Sequence, residues 1–130
     1  MEDNKIKPQI PVCSPPNLFK LLYRNINKDS AEPILDENGK EIISSPTLSR
    51  AYHFTAIVQD TNRPAFSQYV CIIRPQSYVY AEKIIELINP DGTSDVNAPV
   101  LFFDATKRLL LKLSSTNDLH RVWIVGEKIL

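Results

Sequence analysis

From Pro99 onward the chain carries three apolar runs split by polar breaks, and no other feature constrains its fold as strongly. Val100-Leu101-Phe102-Phe103 meets the break Asp104-Ala105-Thr106-Lys107, then Arg108-Leu109-Leu110-Leu111-Lys112-Leu113 follows. A Ser/Thr/Asn/Asp loop leads to Arg121-Val122-Trp123-Ile124-Val125-Gly126. Short apolar runs bounded by turn chemistry signal consecutive strands. They hold the densest hydrophobic material in the chain, so the other elements must pack against them.

Upstream, Ala51–Val58 alternates, with Tyr52, Phe54, Ala56 and Val58 on one face. After the turn Asp60-Thr61-Asn62-Arg63-Pro64, the run Gln68–Arg74 is apolar on both faces, which places it inside a sheet. Short connections at 60–67, 104–107 and 114–120 predict antiparallel pairing. Pro33-Ile34-Leu35-Asp36 and Glu41-Ile42-Ile43 flank Asn38-Gly39, a dipeptide that tolerates the positive φ of a tight hairpin. This 33–43 hairpin is small and charged, and is expected to project from the body.

Two segments read as helices. Leu18, Phe19, Leu21, Leu22 and Ile26 form one broad helical stripe behind a capping Asn17, although Phe19, Leu21 and Tyr23 also alternate like a strand. After Ser77, residues Ala81, Ile84, Ile85 and Ile88 recur at i, i+3, i+4, i+7, predicting a main helix over 78–88 that Asn89-Pro90 ends. The expected fold is therefore α+β: an antiparallel sheet of five or more short strands packed by that helix. Its core is expected to hold Phe54, Ala56, Val58, Cys71, Ile73, Ile84, Ile85, Ile88, Leu101, Phe103, Leu109, Leu111, Val122 and Ile124. At 130 residues the chain allows one domain, placed at 17–130.

Residues 1–16 differ in character. Pro8, Pro11, Pro15 and Pro16 deny this arm regular hydrogen bonding and bias it to extended polyproline geometry. An arm without the means to order itself is most simply a tether to another surface, with Ile6, Pro8, Ile10, Pro11, Val12, Pro15 and Pro16 as its contact residues. Pro8-Gln9-Ile10-Pro11 also matches a P-x-x-P pattern, a weaker signal.

Chemical motifs are sparse. His53 and His120 are the only histidines and lack metal-ligand spacing. Asn89, Asp91, Asp95 and Asn97 share a loop without EF-hand spacing, which reads as a polar turn. Cys71 lies in an apolar run and is expected in the core; with Cys13 it makes neither a C-x-x-C pair nor a disulfide framework. With only three glycines, neither a nucleophile elbow nor a phosphate loop is present. No metal, cofactor, catalytic residue or small-molecule substrate is expected. No signal peptide and no membrane-length apolar run are present, so the expected location is cytoplasmic or intravirion.

Formal net charge is zero, which argues against long-range attraction to nucleic acid. These features favour a non-catalytic assembly subunit of a larger complex, such as a virion component, with protein partners or further copies of itself. The tether would act with a dock at Asp36, Asn38, Gly39 and Lys40. A single-strand nucleic-acid binder is the alternative, using Arg74, Tyr78, Tyr80, Lys107, Arg108, Lys112 and Arg121. Residues 100–130 carry five basic against three acidic groups, too small an excess to support it. A small enzyme without a recognisable motif is the third reading.

Overall fold

The computed structural model describes residues 17–43, 49–59, 65–74, 79–86 and 98–130. They build two packed antiparallel sheets. Strands β1 (Leu18–Ile26), β2 (Glu32–Pro33), β3 (Arg50–Val58), β4 (Phe66–Ile73), β5 (Val79–Glu86), β6 (Pro99–Phe103), β7 (Leu109–Leu113) and β8 (His120–Lys128) follow in chain order. The larger sheet runs β1-β8-β3-β4-β5 and the smaller β2-β7-β6. Hairpins make β3-β4-β5 and β6-β7, whereas β1 with β8 and β2 with β7 join distant parts of the chain.

The strands at 50–58, 66–73, 99–103, 109–113 and 120–128 match the sequence reading closely. β3 places Tyr52, Phe54, Ala56 and Val58 inward, all fully buried. Opposite them β7 turns in Leu109, Leu111 and Leu113. Cys71 and Ile73 of β4, Leu101 of β6, and Val122 and Ile124 of β8 complete the layer between the sheets, and Phe103 packs against it. An edge-on Phe19 meets Tyr52 and Phe54 at centroid distances of 6.2 and 6.0 Å. Such aromatic pairs contribute about 0.5–1.5 kcal/mol each beyond their burial.

The helical expectations are overturned, and with them the α+β class: the described residues form an all-β sandwich. Residues 18–26 are strand β1, paired along most of β8. The stripe there fits either period, and Phe19, Leu21 and Tyr23 reach the core as alternating strand residues. The expected main helix over 78–88 is strand β5 across its described part, 79–86. Val79 and Ala81 face the core, paired with Ile73 and Cys71. A register shift then sets Gln68 opposite Ile85 and Tyr69 opposite Lys83, leaving Ile84 as the extra residue of a β-bulge. Ile84 and Ile85 are 48% and 47% exposed, so neither is a core residue; Ile88 lies outside the described residues.

Two further corrections concern connections. Segment 114–119 does not join paired neighbours but carries the chain from β7 in the small sheet to β8 in the large one. The 33–43 hairpin turns where expected, with Gly39 at φ 79, but it does not project. Ile34 N–H donates to Leu109 O (2.9 Å) and Leu109 N–H to Ile42 O (2.9 Å), weaving both arms onto β7. Ile34 and Ile42 are fully buried. The charges that suggested a protruding element are confined to the turn, while its two isoleucines supply core.

Candidate functional site

The feature that sets this sandwich apart is the outer face of the larger sheet. An antiparallel sheet with one face on a core is ordinarily polar on the other. Here register aligns large apolar side chains across it. Leu22, Trp123, Ile57 and Phe66 form one cross-strand row spanning β1, β8, β3 and β4. The next row holds Lys20, Val125, Thr55, Gln68 and Ile85, and the one after it Leu18, Glu127, His53, Val70 and Glu82. Ile72 and Tyr80 extend the apolar surface at the far end. Leu22, Ile57, Phe66, Val70, Ile72, Trp123 and Val125 are half-buried, while Leu18, Tyr80 and Ile85 are exposed.

Within this face a groove of about 170 Å³ is lined by Lys20, Ile57, Trp123 and Val125. The indole is anchored: Trp123 Nε1–H donates to Gln59 Oε1 at 2.7 Å. Gln68 Nε2 donates to Thr55 Oγ1 at 2.9 Å in the row beside it. The Trp123 and Gln68 donors beside the groove are thus satisfied, and its walls are mainly apolar.

A second cluster ties the 33–43 hairpin to the larger sheet. Tyr52 Oη–H donates to Glu37 Oε1 (2.9 Å), and Lys128 Nζ lies 2.7 Å from Glu37 Oε2. Burial alone would raise the Glu37 carboxyl, but hydrogen bonds from Lys128, its own backbone and Tyr52 outweigh it and hold the group below its ordinary value. Burial, then the Glu37 contact, raises the Tyr52 phenol. Asp36 Oδ1 accepts the Asn38 and Lys40 N–H groups at 2.8 and 3.0 Å, and Asp36 Oδ2 lies 3.5 Å from Arg50. Of the expected dock residues, Asp36 is therefore a buried brace, and Asn38, Gly39 and Lys40 are exposed at the turn. The tether residues Ile6, Pro8, Ile10, Pro11, Val12, Pro15 and Pro16 lie outside the described residues.

The nucleic-acid candidates fall on different surfaces. Lys107 (φ 67) and Arg108 sit at the β6–β7 turn, where Arg108 pairs with Asp104 and Glu41 at 3.3 and 3.6 Å. Lys112 lies over the Phe102 ring at 5.3 Å on the small sheet. Arg74 and Tyr80 belong to the β4–β5 end of the large sheet, Arg121 to β8 beside Trp123, and Tyr78 is outside the described residues. Tyr52 and Tyr69 are inside the core and present no stacking face.

His53 Nδ1 lies 3.7 Å from Glu127 Oε1 across the β3–β8 pair, and its Nε2 is buried without a hydrogen-bond partner. Among the described residues no three His, Cys, Asp or Glu side chains converge on a metal-sized site. Burial pushes the Cys71 thiol up to about 12. The calcium-loop candidates Asn89, Asp91, Asp95 and Asn97 are outside the described residues. The apolar outer face escaped sequence reasoning, although its signal was present: β4 and β8 are apolar at both parities, which reads equally as a strand buried on both faces.

No protein-family model matches the chain, and no curated protein matches it in sequence. No helix among the described residues is long and apolar enough to cross a membrane. A solved structure with a similar fold is the tailspike protein of Acinetobacter phage vB_ApiP_P1, with a TM-score of 0.52 and 11% identity. The match covers 87% of this chain and 21% of that one, so the chain spans about a fifth of the tailspike's length. At that identity the likeness is one of fold.

Proposed function

We propose that this chain is a non-catalytic structural module of a larger particle of the virion or phage kind, docked through the outer face of its larger sheet and tethered by residues 1–16. The observation that carries the reading is that outer face. Apolar patches rimmed by polar residues mark interaction sites, and the row of Leu22, Trp123, Ile57 and Phe66 has Lys20, Thr55 and Gln68 in the row beside it. The likeness to part of a phage tailspike supports the same reading, as does an arm too rich in proline to build regular hydrogen bonding.

The test is sedimentation in the native context. Tagged full-length chain is expected to travel with a fast-sedimenting particle, and a variant lacking residues 2–16 to remain at the top of the gradient with an unchanged melting temperature. Full-length chain found only in the slow fraction would refute the assembly role.

A further inference from the structure

We infer that the groove formed by Lys20, Ile57, Trp123 and Val125 is the seat for the proline-rich arm, residues 1–16, of a second copy of this chain. The inference rests on reading the arm as a tether and names what that tether grips. At about 170 Å³ the groove is smaller than the roughly 300–1,000 Å³ of small-molecule sites, and suits a few side chains of an extended segment. Its walls are two aliphatic side chains, Lys20, and an indole oriented by Gln59. Aromatic-lined grooves of this kind take proline-rich segments, whose preformed extended geometry leaves little entropy to lose on docking.

The arm has matching chemistry and reach. Pro8, Ile10, Pro11 and Val12 place apolar groups close together along it, and Glu2 and Asp3 balance Lys5 and Lys7. It joins the sheet at Asn17, immediately before β1, the strand that carries Lys20. At about 3.1 Å per residue its sixteen residues span roughly 50 Å. Five strands spaced about 4.8 Å apart are only about 20 Å across.

The chemistry at the junction favours the neighbour's groove over the chain's own. Lys20 lies three residues beyond Asn17, so docking in the same molecule requires the arm to reverse direction within its sixteen residues, whereas docking on a neighbouring copy requires no reversal. Pro15 and Pro16 fix φ near −65°, and proline at the next position keeps Ser14 and Pro15 out of helical conformations. A reversal is therefore disfavoured over residues 14–16.

Trp123 is the sole tryptophan, so its emission reports the groove directly. Full-length chain is diluted from micromolar to nanomolar while emission and sedimentation are followed. On raising the concentration, a blue shift of Trp123 and an increase in sedimentation coefficient are expected together. Synthetic peptide of residues 1–16 should shift the emission of dilute chain and disperse the associated form. Ile57→Ser and Val125→Ser, tested separately, should each weaken peptide binding by roughly tenfold or more, as loss of an apolar anchor does. Emission insensitive to excess peptide overturns the seat, and a blue shift independent of concentration overturns the second-copy assignment. If arm deletion still abolishes particle incorporation while the peptide leaves Trp123 unchanged, the tether stands and this seat does not.

Discussion

Replacing Gly126 by alanine tests the packing between β1 and β3 with one methyl group. A Cβ built at Gly126 would lie 2.8 Å from Phe54 Cε1 and closer still to the tip of the Phe19 ring. Gly126 does not hold a left-handed conformation, so no backbone strain opposes the change. In a strand free of clashes, alanine would be favoured over glycine by about 0.5–1 kcal/mol through backbone entropy. Overpacking a well-filled core costs about 1–3 kcal/mol. The clash wins here because neither ring can yield freely. Phe54 is fully buried and stacked on Tyr52 at 5.4 Å, and moving Phe19 would break its edge contacts with both rings. The net expectation is a loss of about 1–2 kcal/mol. With a urea m-value of about 2 kcal/mol/M, the unfolding midpoint should fall by about 0.5–1 M. Phe19→Leu in the Gly126→Ala background should recover part of that loss, giving a coupling of at least about 0.5 kcal/mol. A midpoint equal to or above wild type for Gly126→Ala would refute the argument.

Three further expectations separate this fold from its alternatives. Ile42→Ala should cost about 2–5 kcal/mol in urea unfolding, because Ile42 is fully buried, while Ile84→Ala at the exposed bulge should stay within about 0.5 kcal/mol; equal costs would contradict the placement of both residues. Hydrogen bonds from the Arg108 backbone and the Thr106 side chain hold the Asp104 carboxyl well below its ordinary 3.8, at about 2. A depressed acid contributes stability above its unfolded value and loses it as pH falls, so melting temperature between pH 4 and 2 should drop less steeply in Asp104→Asn than in wild type; superimposed acid limbs would count against it. In a Cys13→Ser background, buried Cys71 with its thiol raised to about 12 should resist iodoacetamide at neutral pH and react only as urea unfolds the protein; prompt labelling of the folded form would place the thiol at the surface.

Much of the β architecture was legible from alternation. Tyr52, Phe54, Ala56 and Val58 announce the inner face of β3, and Leu109, Leu111 and Leu113 that of β7, because a period of two admits only one way of burying such a set. Asn38-Gly39 announced its turn for the same local reason, the positive φ at Gly39. Where the period was ambiguous, local reading failed. Phe19, Leu21 and Tyr23 suit helix or strand, and pairing with β8 decided for strand. Ala81, Ile84 and Ile85 imitate a helical stripe only because the bulge at Ile84 interrupts the strand alternation.

The outer face followed the same division. That Trp123, Ile57, Phe66 and Leu22 are apolar is plain in the chain, but their meeting in one row depends on β8 pairing with β1 and β3, strands far from it in sequence. Sequence alone determined that segments 50–58, 66–73, 99–103, 109–113 and 120–128 extend and which of their residues seek burial, since those follow from an unambiguous side-chain period. Tertiary structure alone decided which apolar face of each strand was enclosed between the sheets and which was left outside. Two layers have only one interior, and strands apolar at both parities offer more apolar surface than it can enclose.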